Sequence, residues 1–210
     1  MPLALLGAFW LLLPHGVPGR WLGLGLFLPL FLIPPERPAP GTLVLTVLDV
    51  GQGQAVHVQT ATHDLIFDTG PAFGAQSDAG SRILVPYLRA AGVNRLDTLI
   101  VSHADKDHAG GADSLIAAVP VNAVERRCVD GQGWEGDGVR FRVLHPAPSD
   151  YATKRPTNAL SCVLKIESAH GSVLIPGDLE GKAEAELLAR HGTEVRSGIL
   201  VAPHHGGRRT

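Results

Sequence analysis

Hydrophobic and polar positions divide the chain into an apolar beginning and a patterned remainder. Residues 1–33 carry a single ionised side chain, Arg20. Pro14, Gly16, Pro18 and Gly19 split this stretch into LALLGAFWLLL (Leu3–Leu13) and WLGLGLFLPLFLI (Trp21–Ile33). Each half is shorter than the roughly 20 apolar residues that a helix needs to cross hydrocarbon. No Lys or Arg precedes the first run and no small-residue cleavage site closes it, which argues against a secretory signal. Trp10 and Trp21 flank the break, where interfacial aromatics sit. The stretch therefore reads as the end of a membrane-spanning domain in preference to a buried helix pair. Residues 34–41, PPERPAPG, hold four prolines. Proline removes a backbone donor and blocks helix, so these residues read as a stiff extended linker and a domain boundary.

From Thr42 to the end the pattern is that of one layered domain. LVLTVLDV (Leu43–Val50) predicts a strand closed by the turn Gly51-Gln52-Gly53, followed by strands AVHVQT (Ala55–Thr60) and HDLIFDTG (His63–Gly70). A helix is predicted over Ser81–Ala91, where Ile83, Leu84, Tyr87 and Leu88 share a face and Gly92 ends it. DTLIVSH (Asp97–His103) predicts a buried strand, and a helix follows over Gly111–Val119. Strands return at Val139–Pro146, Ser161–Ser168 and Ser172–Asp178. A helix over Gly181–His191 and a last strand over Gly198–Pro203 complete the series. Hairpins followed by strand–helix alternation predict an α/β fold of four layers, an αββα sandwich.

Charge excludes little. Eighteen Lys+Arg against 20 Asp+Glu give a net charge of −2, so no strong overall field points to a polyanion. Cys128 and Cys162 match neither a disulfide-rich scaffold nor a zinc-finger spacing; pairing and two buried thiols both remain open.

Polar clusters change the picture. SHADKDHAGG (Ser102–Gly111) places His103, Asp105, Asp107 and His108 within six residues. Asp178 follows LIPG, and His204 and His205 follow ILVAP. All three clusters sit at the carboxyl ends of predicted strands, the edge at which layered α/β folds bind ligands. His103 and Asp105 point the same way while the chain is extended, and Asp107 and His108 come where it turns, so two pairs of ligands face two neighbouring positions. Carboxylates this close repel one another, and a divalent cation removes the repulsion. His103, Asp105, Asp107, His108, Asp178, His204 and His205 are the expected metal ligands.

These motifs, with IFDTG (Ile66–Gly70), LIPGD (Leu174–Asp178) and APHHG (Ala202–Gly206), resemble the signatures of the metallo-β-lactamase fold, whose first histidine motif usually reads HxHxDH. More narrowly, LDVGQG (Leu48–Gly53), SHADKDHAGG, FRVLHP (Phe141–Pro146), SCVLKI (Ser161–Ile166) and VAPHHGG resemble the C-terminal domain of the ComEC family of DNA-internalisation competence proteins. The resemblance covers residues 42–210. It implies a dinuclear-metal hydrolase, a nuclease or phosphodiesterase acting on the transported or discarded DNA strand. It also implies a multi-pass parent in the bacterial inner membrane, anchored through the N-terminal segment and working with other DNA-uptake proteins. On this basis His103 and Asp105 hold the first metal, and Asp107 with His204 or His205 the second. His108 lies beside them, Asp178 bridges, and Asp107 and His108 are the catalytic pair.

Two departures qualify the resemblance. Asp105 stands where most of the metallo-β-lactamase fold family has histidine, and the isolated third histidine of the first site has no obvious counterpart; Asn158 and Ser161 lie in that region. Such an oxygen-rich site favours manganese or magnesium, while the histidines keep zinc in play. The family also continues for another strand and helix, so truncation at the C-terminus is expected. Hydrolysis of a small ester, lactone or lactam, and non-catalytic DNA binding by a metal-braced module, are the rival functions. The fused apolar N-terminus favours the nuclease. Asp68 is expected to brace the metal loop by hydrogen bonds. Arg126, Arg127, Arg140, Arg142, Lys154, Arg155, Arg208 and Arg209 read chiefly as solvated surface.

Overall fold

The structure, a computed structural model, describes residues 2–14, 16–32 and 35–206. Ile33, Pro34 and the Arg208-Arg209 pair lie outside the described residues, as does the side chain of His205. Contacts divide the chain into two units, Met1–Glu36 and Arg37–Thr210.

The first unit contains α1 (Pro2–Leu11), a 3-10 helix (Arg20–Phe27) and α2 (Leu28–Leu32). Gly7 and Gly23 let two helices meet at their backbones. A methyl group on Gly7 would lie 2.7 Å from the Gly23 carbonyl oxygen, and one on Gly23 would lie 2.8 Å from that of Gly7. Leu5, Phe9, Leu12, Trp21 and Leu32 are exposed. Among the described residues no helix is long and apolar enough to cross a membrane. The Pro/Gly break keeps both halves short.

The second unit is the predicted sandwich. Its first sheet takes β1 (Val44–Val47), β2 (Val56–Gln59) and β3 (Asp64–Phe67) as an antiparallel meander. A small hairpin of β4 (Ala72–Gly74) and β5 (Ser77–Asp78) follows, then a π-helical turn (Gly80–Leu84) leading into α3 (Val85–Ala90). Next, β6 (Leu96–Ile100) pairs parallel to β3, and α4 (Lys106–Ala109) and α5 (Ala112–Ala118) precede β7 (Val121–Glu125), parallel to β6. The sheet order is β1-β2-β3-β6-β7. The second sheet comprises β8 (Gly133–Gly136), β9 (Val139–His145), β10 (Val163–Ser168), β11 (Gly171–Ile175) and β12 (Ile199–Leu200), in the order β12-β11-β10-β9-β8. Between β11 and β12 runs α6 (Gly181–His191).

Strand periodicity explains the layers. Leu99 packs with Ile66, Leu84, Leu88 and Leu115 under the first helical layer. Its neighbour Ile100 faces the other way, onto Phe67, Phe141, Leu164, Ile166 and Ile175 between the sheets. Likewise Val163 joins Leu144 and Leu187 beneath α6, while Leu164 points inward. Successive side chains alternate across a strand, so strands covered on both faces need continuous apolar runs such as DTLIV and SCVLKI. Two exposed strands, β7 and β8, carry no such run, and the sequence pattern does not predict them.

Candidate metal centre

The parallel β3–β6 pair aligns Phe67 with Ile100 and so brings the two following segments side by side. Asp68 leaves β3 in a left-handed conformation, φ 61°, which Asp tolerates better than most residues. Its carboxylate turns beneath the next loop. Oδ1 accepts the Ser102 backbone N–H at 2.6 Å, and Oδ2 accepts the Ser102 hydroxyl at 2.8 Å. The same Oδ2 lies 2.7 Å from Nδ1 of His108. His108 is sealed from solvent, and its carbonyl accepts both the backbone N–H and the hydroxyl of Thr69 at 2.8 Å.

His108 Nε2 faces the second sheet, 3.0 Å from Oδ1 of Asp178, which follows β11. Burial disfavours a charge on this ring. The hydrogen bonds to Asp178 and Asp68 outweigh it and push the pKa up to about 10. Without metal the ring is an imidazolium held between two carboxylates.

His103 differs. Its Nδ1 lies 2.9 Å from the Ser102 hydroxyl and 3.2 Å from the Ser161 hydroxyl. Its Nε2 is buried without a hydrogen-bond partner. Burial, then the neighbouring His108 charge, lowers its pKa, so the ring is neutral at pH 7 and offers a lone pair. Unsatisfied buried nitrogens are rare and call for a ligand or a water. Ligand atoms of His103, His108 and Asp178 all lie within 4.8 Å of one another, and all three residues are buried.

Of the other expected ligands, Asp105 and His204 approach this trio. Asp105 Oδ2 is 3.6 Å from His103 Nε2, and the Asp105 carbonyl starts α4 by accepting N–H groups of His108 and Ala109. That short helix begins at Lys106, ahead of the predicted start at Gly111, so His108 itself is helical. Asp107 is half-buried, and its carbonyl accepts the Gln54 N–H at 3.2 Å; among the described residues the close group does not include its carboxylate. A side chain on Gly53 would strike that carbonyl, which explains the glycine of LDVGQG. His204 is half-exposed, with Nε2 4.0 Å from Asp178 Oδ2 and Nδ1 3.0 Å from Glu180 Oε2. One Asp178 oxygen is thus turned to His108 and the other toward His204.

Sequence reasoning assigned no role to Ser102, Thr69 or Glu180. Ser161 stands out in the sequence only by its place in the chain. Its hydroxyl touches His103 and accepts the Asp178 N–H at 3.2 Å, linking two ligand loops. The cysteines pair: Cys128 and Cys162 form a disulfide with Cα atoms 5.6 Å apart, and the Cys162 N–H donates to the Ser102 carbonyl at 2.9 Å. Trp134 stacks on Phe141 with ring centroids 5.0 Å apart, and the Tyr151 hydroxyl donates to the Cys128 carbonyl.

Comparisons with known proteins bear on the family and the fold. Residues 48–207 match the family described as the metallo-beta-lactamase superfamily. Competence protein ComA of Neisseria gonorrhoeae is 36% identical over 214 residues, which cover 97% of this chain and 30% of the relative. Recombination protein 2 of Haemophilus influenzae is 34% identical over 179 residues, covering 80% of this chain and 22% of the relative. The chain therefore spans less than a third of the length of these relatives. Among solved structures, a β-lactamase from Chitinophaga pinensis superposes with a TM-score of 0.54 at 14% identity, covering 83% of this chain and 80% of that one, a likeness of fold alone. On the strength of the match over residues 48–207, the chain belongs to the metallo-β-lactamase superfamily, whose fold is that of metal-dependent hydrolases.

Proposed function

We propose that the centre holds two divalent cations and hydrolyses phosphodiester bonds of DNA during uptake across the bacterial membrane. The observation that carries this reading is the buried trio of His103, His108 and Asp178, with one imidazole nitrogen left unsatisfied and aimed at its neighbours. The competence and recombination names of the relatives support DNA as the substrate. The exposed apolar residues of the N-terminal unit support a site beside a membrane, with other DNA-uptake proteins as partners.

The donor set fits such ions. His103 and Asp105 would hold the first, and Asp107 with His204 or His205 the second, while Asp178 lies between. His108 joins them from α4. Bound divalent cations supply Lewis acidity, stabilising charge on a phosphoryl oxygen and acidifying water. The protein's part is to aim and neutralise. Asp68 fixes the His108 ring, Ser102 and Ser161 fix His103, and the surrounding core keeps His103 and His108 dry. Asp107 and His108, where the loop turns into α4, are the residues on which hydrolysis depends. Imidazole and carboxylate donors suit manganese and zinc, and magnesium follows from the oxygen content.

Titration of the full chain with manganese, zinc and magnesium, alongside a DNA-cleavage assay, tests the proposal. Uptake of metal with cleavage that Asp107→Ala abolishes, the fold being retained, is the expected result. Metal uptake with hydrolysis of small esters or lactams alone would move the substrate to that class. Metal uptake with DNA binding and no hydrolysis would leave a braced binding module, and no uptake at all would overturn the reading.

A further inference from the structure

A cleft opens beside the centre between the segment from Thr153 to Ala159 and the start of α6, and His204 forms part of its wall. Lys154, Arg155, Asn158, Glu180 and Lys182 set its polarity. Arg155 is committed to the fold. Its guanidinium lies 3.0 Å from Asp150 and 2.6 Å from Glu186, pinning the segment to α6. Lys154, the preceding residue, is exposed and takes no part in that network. Lys182 has its side chain 90% exposed and comes only within 3.8 Å of Glu186, an acid already held by Arg155. By contrast, Arg126 is paired with Asp113 at 3.2 Å and Arg142 with Glu194 at 3.0 Å. Two exposed ammonium groups thus line, from two different segments, a cleft whose wall includes the candidate ligand His204.

The centre itself is acidic, with Asp105, Asp107, Asp178 and Glu180 around it. Two divalent cations bound there would offset these four carboxylates and leave the charges of the flanking nucleotides unmet. A polyanionic substrate needs separate positive groups to hold the rest of its backbone. We propose that this cleft seats the phosphodiester backbone of a single DNA strand flanking the scissile bond, with Lys154 and Lys182 contacting its phosphates and Asn158 offering an amide. This inference rests on the phosphodiesterase reading and assigns a path to its substrate. Ammonium groups on flexible stems act as point charges for phosphate, so the contact carries affinity and no sequence preference.

The test is binding, without turnover. A fluorescein-labelled single-stranded oligonucleotide of 20 residues is titrated in EDTA with the full chain, with the Lys154→Ala/Lys182→Ala double variant, and with Arg140→Ala as a cation outside the cleft. The double variant is expected to bind about tenfold more weakly at low salt, with a salt slope shallower by about 1.4 for two lost single-strand contacts. Arg140→Ala should match the parent. Equal binding by the double variant, an equal loss in Arg140→Ala, or no binding by the parent would overturn the cleft assignment. A parent that binds through the lysines yet cleaves nothing when loaded with metal would leave the cleft standing and sink the nuclease reading.

Discussion

Asp68 and His108, forty residues apart in the chain, meet at 2.7 Å with both side chains fully buried. This contact decides which nitrogen of His108 faces Asp178, because a carboxylate acceptor on Nδ1 leaves Nε2 as the outward atom. Through the Ser102 hydroxyl the same carboxylate reaches His103, so one acid orients both imidazoles. Asp68→Asn keeps a residue that tolerates the left-handed backbone but replaces an acceptor with an amide. Metal affinity measured by calorimetry is expected to fall by roughly 10- to 100-fold, the usual effect of losing such an orienting group. An unchanged affinity would show that the histidines are aimed by packing alone.

The His108 pKa makes stability depend on pH in the metal-free protein. The folded value, about 10, lies above the ordinary 6.5, so the stabilising proton is fully held in both states only below 6.5. Its contribution is complete there and is lost as the pH rises through 10. The melting temperature in EDTA should therefore drop by roughly 10 °C between mildly acidic and strongly alkaline buffer. Metal-loaded protein should lack this trend, since a cation stands where the proton was. A flat profile in EDTA would contradict the double carboxylate clasp.

The disulfide closes a loop over a sequence separation of 34 residues. Loop-closure entropy places its contribution at about 4 kcal/mol. Denaturation of the Cys128→Ser/Cys162→Ser variant should reveal most of that loss. Because the Cys162 backbone also holds the Ser102 carbonyl, metal affinity should weaken with it. A variant as stable as the parent would place the constraint elsewhere.

Gly110 sits where no side chain fits. A methyl group there would strike backbone atoms of Ala72 and Lys106 and come within 2.7 Å of the Pro71 carbonyl carbon. Gly110→Ala is expected to cost about 3 kcal/mol in urea denaturation, because backbone and not a movable side chain is in the way. A cost below ~0.5 kcal/mol would mean that the loop shifts freely.

Much of this architecture was legible in the chain. Buried strands such as Leu96–Ile100 announce themselves by continuous apolar residues, and α6 by its glycine-bounded amphipathic run. The αββα layering followed from their order. Local pattern failed where contacts are distant or surfaces are wet. The exposed strands β7 and β8 have no apolar code to read. The short helix carrying His108 is too brief for periodicity to register. Nothing local joins Asp68 to His108 or Cys128 to Cys162, since only the folded sheet order brings those partners together.

His108 holds Asp68 from the strand-end of one sheet and Asp178 from that of the other. A single ring therefore stitches the seam between the two halves of the sandwich. Cohesion and chemistry share that stitch: retuning either carboxylate for a different ion also changes how tightly this rim of the molecule stays shut.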